Sequence, residues 1–125
     1  MLDNTIMASY KELIVWQKSY QLTLLIYKAS KNFPKEETFN LVSQIRRSAL
    51  SLPSNIAEGN YRGSKKEHLQ FLRISFASGA ELETQLLLSK DLKYIEEKEY
   101  NVIYSLLSEV MKILNAMIKN LSSKV

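Results

Sequence analysis

Gly59-Asn60-Tyr61-Arg62-Gly63-Ser64-Lys65-Lys66-Glu67 is the clearest break in this chain, and both of its flanks read as long helices. Gly59 is placed to end the upstream helix as a left-handed cap, a backbone region that costs glycine little. Ser64 and Glu67 stand in the spacing of a capping box, in which each side chain satisfies a free backbone donor of the helix start. A short loop between two long helices makes them antiparallel neighbours. The stretch predicts a helical hairpin at the centre of the chain.

Upstream, the second helix extends back to about Lys35. Val42, Ile45, Ala49, Leu52 and Ile56 form its apolar stripe at three- and four-residue steps. Pro34 suits a first-turn position, and Glu36 and Glu37 suit the positive end of the helix dipole. Pro53 falls inside this helix. It removes one backbone donor and crowds the carbonyl of Ala49, which predicts a kink or a local break. Downstream, the third helix runs to about Leu92.

The outer helices follow from the same periodicity. The first spans about Tyr10 to Lys31, with Leu13, Trp16, Tyr20, Leu24 and Tyr27 on one face. It ends at Asn32-Phe33-Pro34, because the residue before a proline is pushed out of the α region. The fourth begins near Glu96 and carries Tyr100, Ile103, Leu107, Val110, Leu114, Met117 and Leu121 in heptad spacing. The expected architecture is all-α: an up-down-up-down antiparallel four-helix bundle, its second helix kinked near Pro53. Residues 1–9 are expected to be a flexible tail and residues 10–122 a single domain.

Composition agrees and narrows the chemistry. The chain has 125 residues, of which 46% are hydrophobic and 24% charged, an ordinary globular balance. Three Gly and two Pro leave few turns for a many-stranded β fold. The absence of Cys removes disulfides, thiolate metal sites and Cys nucleophiles. A di-iron bundle needs paired Glu-x-x-His motifs, and the single His68 has Lys65 three residues before it. His68 reads as a solvated surface residue. No phosphate-cradling glycine motif is present. The N-terminus does not read as a secretory signal, and the apolar runs at Leu22–Tyr27 and Leu86–Leu88 fall short of the ~20 residues of a membrane helix. The expectation is a cytoplasmic protein without cofactor, metal or membrane partner.

Two helices carry a second apolar stripe. On the third, Leu69, Leu72, Phe76, Ala80 and Leu87 share one face, with Phe71, Ile74 and Leu82 roughly opposite. On the first, Val15, Leu22 and Ile26 oppose the Trp16–Tyr20–Leu24 face. One stripe faces a bundle core. The second, Val15, Leu22, Ile26, Phe71, Ile74 and Leu82, is expected to form an oligomer interface, since exposed apolar patches mark interaction sites. The alternative is a wide core stripe with scattered surface residues. Glu83 falls in angle within the core-facing stripe of the third helix. It reads as a buried structural acid paired with Arg46, with a perturbed site carboxylate as the alternative.

Positive charge is pooled. Residues 46–73 hold Arg46, Arg47, Arg62, Lys65, Lys66 and Arg73 against Glu58 and Glu67, a net +4 that equals the charge of the whole chain. Cations and free backbone donors at a helix start suit phosphate, and Tyr61 suits stacking on a base. The candidate nucleic-acid contacts are Arg47, Tyr61, Arg62, Lys65, Lys66 and Arg73. The alternative is the solvated end of a bundle.

Gln44-Ile45-Arg46-Arg47-Ser48-Ala49 followed by Ser51-Leu52-Pro53-Ser54-Asn55-Ile56-Ala57-Glu58-Gly59 resembles the 23S rRNA intervening-sequence protein family, also described as S23-type ribosomal proteins. Leu13-Ile14-Val15-Trp16-Gln17, Phe33-Pro34 and Glu81-Leu82-Glu83-Thr84-Gln85-Leu86 match as well. The resemblance spans about Tyr10 to Leu121. It implies a small bacterial four-helix bundle that assembles into a ring, typically a pentamer. The family is named from reading frames in extra segments of ribosomal RNA genes. Similar bundles act as accessory proteins of diversity-generating retroelements, where a basic ring contacts nucleic acid and a reverse transcriptase. Carried onto this chain, the motif positions are Gln44, Arg46, Arg47, Pro53, Asn55, Glu58, Gly59 and Glu83. Gln44, Arg47, Ser51, Ser54 and Glu58 form a polar stripe opposite the apolar one, suited to a subunit interface, a central channel or plain solvent.

The first expectation is therefore a non-enzymatic homo-oligomer that binds nucleic acid, RNA before DNA, through the segment joining the second and third helices. A protein-interaction scaffold without nucleic-acid contact is the alternative. An enzyme with a site formed between subunits around Glu83 or Glu58 is the third.

Overall fold

The computed structural model describes residues 9–125. Among them lie four helices: α1 (Ile14–Ser30), α2 (Leu41–Tyr61), α3 (Lys65–Asp91) and α4 (Glu97–Ser122), with short 3-10 turns at Tyr10–Glu12 and Lys35–Glu37. Successive helices pack side by side and α1 also meets α4, while the pairs α1 with α3 and α2 with α4 are not backbone neighbours. That is the up-down-up-down four-helix bundle. The expected tail lies outside the described residues except for Ser9, whose Oγ caps the first 3-10 turn.

The helix ends follow local chemistry. Ser64 is the N-cap of α3, and its Oγ accepts from the Glu67 N–H at 3.1 Å. The Glu67 carboxylate takes the Ser64 hydroxyl at 3.2 Å. α2 starts later than the sequence predicts, because Lys35–Glu37 forms its own 3-10 turn. Glu37 is thus no first-turn residue of α2. Its Oε2 accepts from the Tyr94 hydroxyl at 2.8 Å, tying the α1–α2 connection to the α3–α4 turn. Phe33 and Ile95 are buried at this end.

α2 continues through Pro53 and two residues beyond Gly59. Gly59 is therefore not a left-handed cap, and no described glycine has positive φ. Its lack of a side chain serves close packing instead: a Cβ there would lie 2.9 Å from Phe71 Cβ. Pro53 leaves the Ala49 carbonyl without its usual helical donor. The Thr23 hydroxyl of α1 reaches into that place, 3.0 Å from the Ala49 oxygen and 2.8 Å from the Ser19 carbonyl, its one proton shared between the two acceptors.

The core corrects two face assignments. Val15, Leu22 and Ile26 are buried in α1 and Leu82 is buried in α3, so none of the four forms a free second face. Tyr20, Leu24 and Tyr27 point outward instead, with Leu24 55% exposed. Small polar residues share the buried side and bond within the fold: Ser19 to the Trp16 carbonyl, Thr23 to Ser19 and Ala49, Ser75 to Leu52. Phe71 is half-buried against α2, and only Ile74 of the predicted interface residues is exposed. Ala80 and Leu87, assigned to the core face of α3, are exposed as well.

With α3 rotated, Glu83 is exposed rather than buried. Arg46 does not meet it. The Arg46 side chain donates to Ser30 Oγ at 2.8 Å and to the Tyr27 carbonyl at 3.2 Å, and stacks 4.7 Å above the Tyr27 ring.

α4 is long and apolar enough on average to cross a membrane, although no single run in the sequence reaches that length. Its apolar residues are nonetheless sorted. Ile103, Leu107, Val110 and Leu114 are buried, while Glu109, Lys112 and Lys119 are exposed. That pattern is the amphipathic face of a bundle helix.

Candidate nucleic-acid interface

Antiparallel packing gathers the end of α2, the start of α3, the start of α1 and the end of α4 at one end of the bundle. Five of the six predicted contacts sit there: Tyr61, Arg62, Lys65, Lys66 and Arg73, all exposed. Arg47 lies fourteen residues before Tyr61 on α2, roughly 21 Å away along the helix. It belongs to a different place. With Gln44, Ser48 and Ser51 of α2 and Ser78, Glu81 and Gln85 of α3, it lines a polar cleft of about 310 Å³.

The five differ in how far their charge is already met. Arg62 donates to Glu58 at 2.7 Å, lies 4.0 Å from Glu67, and covers the Phe71 ring at 4.9 Å. It braces the hairpin. Among the described residues, Lys65, Lys66 and Arg73 have no acidic partner within the 4.0 Å of an ion pair. These three present their charge to solvent, beside the positive end of the α3 dipole.

The same end of the bundle carries the start of an aromatic run. Tyr61, 74% exposed, meets Tyr10 edge-on at 5.7 Å. Tyr10 meets Trp16 at 5.2 Å, and Trp16 stacks on Tyr20 at 5.0 Å. Tyr20 is 47% exposed. Sequence reasoning missed all of this run but Tyr61, because it assigned Trp16 and Tyr20 to the core. The signal available was the excess of aromatics on the face opposite Val15, Leu22 and Ile26.

Three further motif positions, Asn55, Pro53 and Glu58, make their contacts within the α2–α3 hairpin. Asn55 donates to the Ser51 carbonyl and to Ser51 Oγ, both at 2.8 Å, and Ser51 Oγ meets Ser78 Oγ at 2.7 Å. Pro53 is buried and Glu58 holds Arg62. These small polar contacts let α2 and α3 approach closely.

His68 is not the solvated residue that the sequence suggests. It is half-buried beside Gly59, its Nε2 has no hydrogen-bond partner, and burial lowers its pKa below the ordinary value. Among the described residues no cluster of His, Asp and Glu could hold a metal ion.

The model of the 23S rRNA-intervening sequence proteins matches residues 11–116, nearly the whole described bundle. The chain belongs to this family. A member of the S23 ribosomal protein family from Bacteroides thetaiotaomicron, a protein of unknown function with a crystal structure at 1.70 Å, has the same fold with a TM-score of 0.77. It shares 29% identity, over 85% of this chain and 99% of its own. No curated protein matches the chain. The family match covers the basic start of α3 and, apart from Tyr10, the aromatic run.

Proposed function

We propose that this intervening-sequence protein is a non-enzymatic homo-oligomer that binds nucleic acid, RNA in the first place, through the loop end of its bundle. One observation carries the reading: Lys65, Lys66 and Arg73 stand without acidic partners, among the described residues, at the bundle end that also carries the exposed ring of Tyr61. Cations of this kind neutralise phosphates and release counterions. Aromatic faces at the same end accept bases of any sequence. Copies in an assembly would pool several such ends and raise the effective concentration of each contact.

The test is fluorescence anisotropy with labelled RNA and DNA across a salt series. Lys65→Gln, Lys66→Gln and Arg73→Gln together should weaken binding to all sequences. The slope of log affinity against log salt should fall by about 0.7 per lost contact on single strands and about 0.9 on duplex. Absence of binding at low salt, or a triple variant as tight as wild type, sinks the proposal. The exposed Tyr20, Leu24 and Tyr27 face of α1 then favours the second reading, a protein-interaction scaffold.

A further inference from the structure

The polar cleft between α2 and α3 holds groups that nucleic-acid binding at the loop end leaves unused. Ser51 Oγ and Ser78 Oγ meet at 2.7 Å and fix the register of the two antiparallel helices. Stepping back along α2 and forward along α3 from that pair sets Ser48 level with Glu81 and Gln44 level with Gln85. These residues line the cleft together with Arg47, and no apolar residue does. Ser48 is 6% exposed, yet its hydroxyl makes no hydrogen bond among the described residues and is not sealed off. Gln85 Oε1 is sealed inside the protein without a donor, which leaves Nε2 as the amide atom that can reach an occupant. Arg47 and Glu81 are exposed, and among the described residues neither has a partner of opposite charge within 4.0 Å.

We infer that this cleft binds a free polar α-amino acid as its zwitterion, with the carboxylate on Arg47 and Gln85 Nε2 and the ammonium on Glu81 and the Ser48 oxygen. The chemistry of the lining selects this class. A lone anion meets the like charge of Glu81, and a lone cation meets that of Arg47. A neutral polyol displaces water from both charges and supplies no countercharge to either. A nucleobase brings two apolar faces, and the cleft has no aromatic or aliphatic residue to cover them. A zwitterion answers both charges at once, and each contact becomes a charge-assisted hydrogen bond. The volume of about 310 Å³ lies at the small end of ligand sites, which suits a single residue better than a peptide. Ser51 and Ser78 leave one hydroxyl proton free beyond their mutual bond and the one from Asn55, and Gln44 adds an amide, so a short polar side chain is met as well.

The test is a titration of the isotope-labelled protein, followed by amide chemical shifts in NMR, with L-serine, L-asparagine and L-glutamine. At least one should give saturable shifts centred on residues 44–51 of α2 and 78–85 of α3. Its N-acetyl derivative lacks the ammonium, its carboxamide lacks the carboxylate, and each should bind about tenfold more weakly. Arg47→Gln and Glu81→Gln alter exposed side chains and should fold with wild-type helicity. In Arg47→Gln the amino acid and its carboxamide should bind alike. In Glu81→Gln the amino acid and its N-acetyl derivative should bind alike. No saturable shift with any of the three overturns the inference. So do derivatives that bind wild type as tightly as the parent, shifts centred outside the cleft, or variants that keep the wild-type preference.

Discussion

Two neighbouring residues, Gly59 and His68, set the tightness of the α2–α3 hairpin. A Cβ at position 59 would meet Phe71 Cβ at 2.9 Å and His68 Cδ2 at 3.1 Å. Phe71 Cβ is one bond from the backbone and cannot swing aside. Gly59→Ala gains helix propensity, about 1 kcal/mol, but overpacks the contact, which costs about 1–3 kcal/mol. The expected net result is a lower urea midpoint; a higher one would show that the hairpin has slack. His68 adds a pH dependence. Its folded pKa lies below 6.5 because burial disfavours the imidazolium. The unfolded chain then binds the extra proton first, so stability is complete at neutral pH and falls as pH drops below the unfolded value and through the folded one. His68→Gln should shrink the loss of urea midpoint between about pH 7.5 and pH 5, and an unchanged loss would assign it to other groups. The sequence shows His68 among Lys65, Lys66 and Glu67 and suggests a wet surface. Only the approach of α2 at Gly59 buries the ring, and that approach is a tertiary fact.

At the scale of the helix, element existence was legible and helix rotation was not. Lengths, breaks and heptad spacing placed all four helices, and α4 kept its predicted stripe because its buried residues are all apolar. α1 and α3 bury Ser19, Thr23, Ser75 and Ser78 beside their aliphatics. A count of apolar residues therefore favoured the outer face of α1, rich in Tyr and Leu. Hydroxyls that bond to backbone carbonyls are cheap to bury, and periodicity alone cannot see those bonds. The same rotation error turned Glu83 inward and Leu82 outward. The Thr23 bond to Ala49 offers a sharp test of this account. Thr23→Val leaves the Ala49 carbonyl unsatisfied and should cost about 1–3 kcal/mol. Pro53→Ala restores a helical N–H that can reach that carbonyl. In the Pro53→Ala background the Thr23→Val change should cost less, so a double-mutant cycle by urea melts should give a coupling of at least about 0.5 kcal/mol. Additive losses would mean that Thr23 does not act through the gap that Pro53 leaves.

For the whole molecule, the pooled charge was legible because it is contiguous in sequence, whereas the aromatic run joins distant segments and was not. The exposed apolar faces carry the last consequence. α1 presents Tyr20, Leu24 and Tyr27, and the far half of α3 presents Leu87 and Leu88, with Leu92 just past its end. The backbones of these helices are not neighbours, so they are diagonal in the bundle and their outer faces point in opposite directions. If copies associate through them, α1 of one copy meets α3 of the next. Such a contact is heterologous and closes into a ring when the rotation permits. Leu88 lies fourteen residues beyond Ile74, roughly 21 Å along α3, which leaves the basic end open. Light scattering should give wild type a mass several times 14.4 kDa. Leu24→Lys and Leu88→Lys should each give monomers alone, because each blocks one side of every contact. Mixed in equal amounts they should pair, since one variant keeps a sound α3 face and the other a sound α1 face. The pair should stop at twice 14.4 kDa, because its two remaining faces both carry lysine. An α1-to-α1 contact predicts the opposite: Leu88→Lys alone keeps the wild-type mass, and mixing restores nothing to Leu24→Lys.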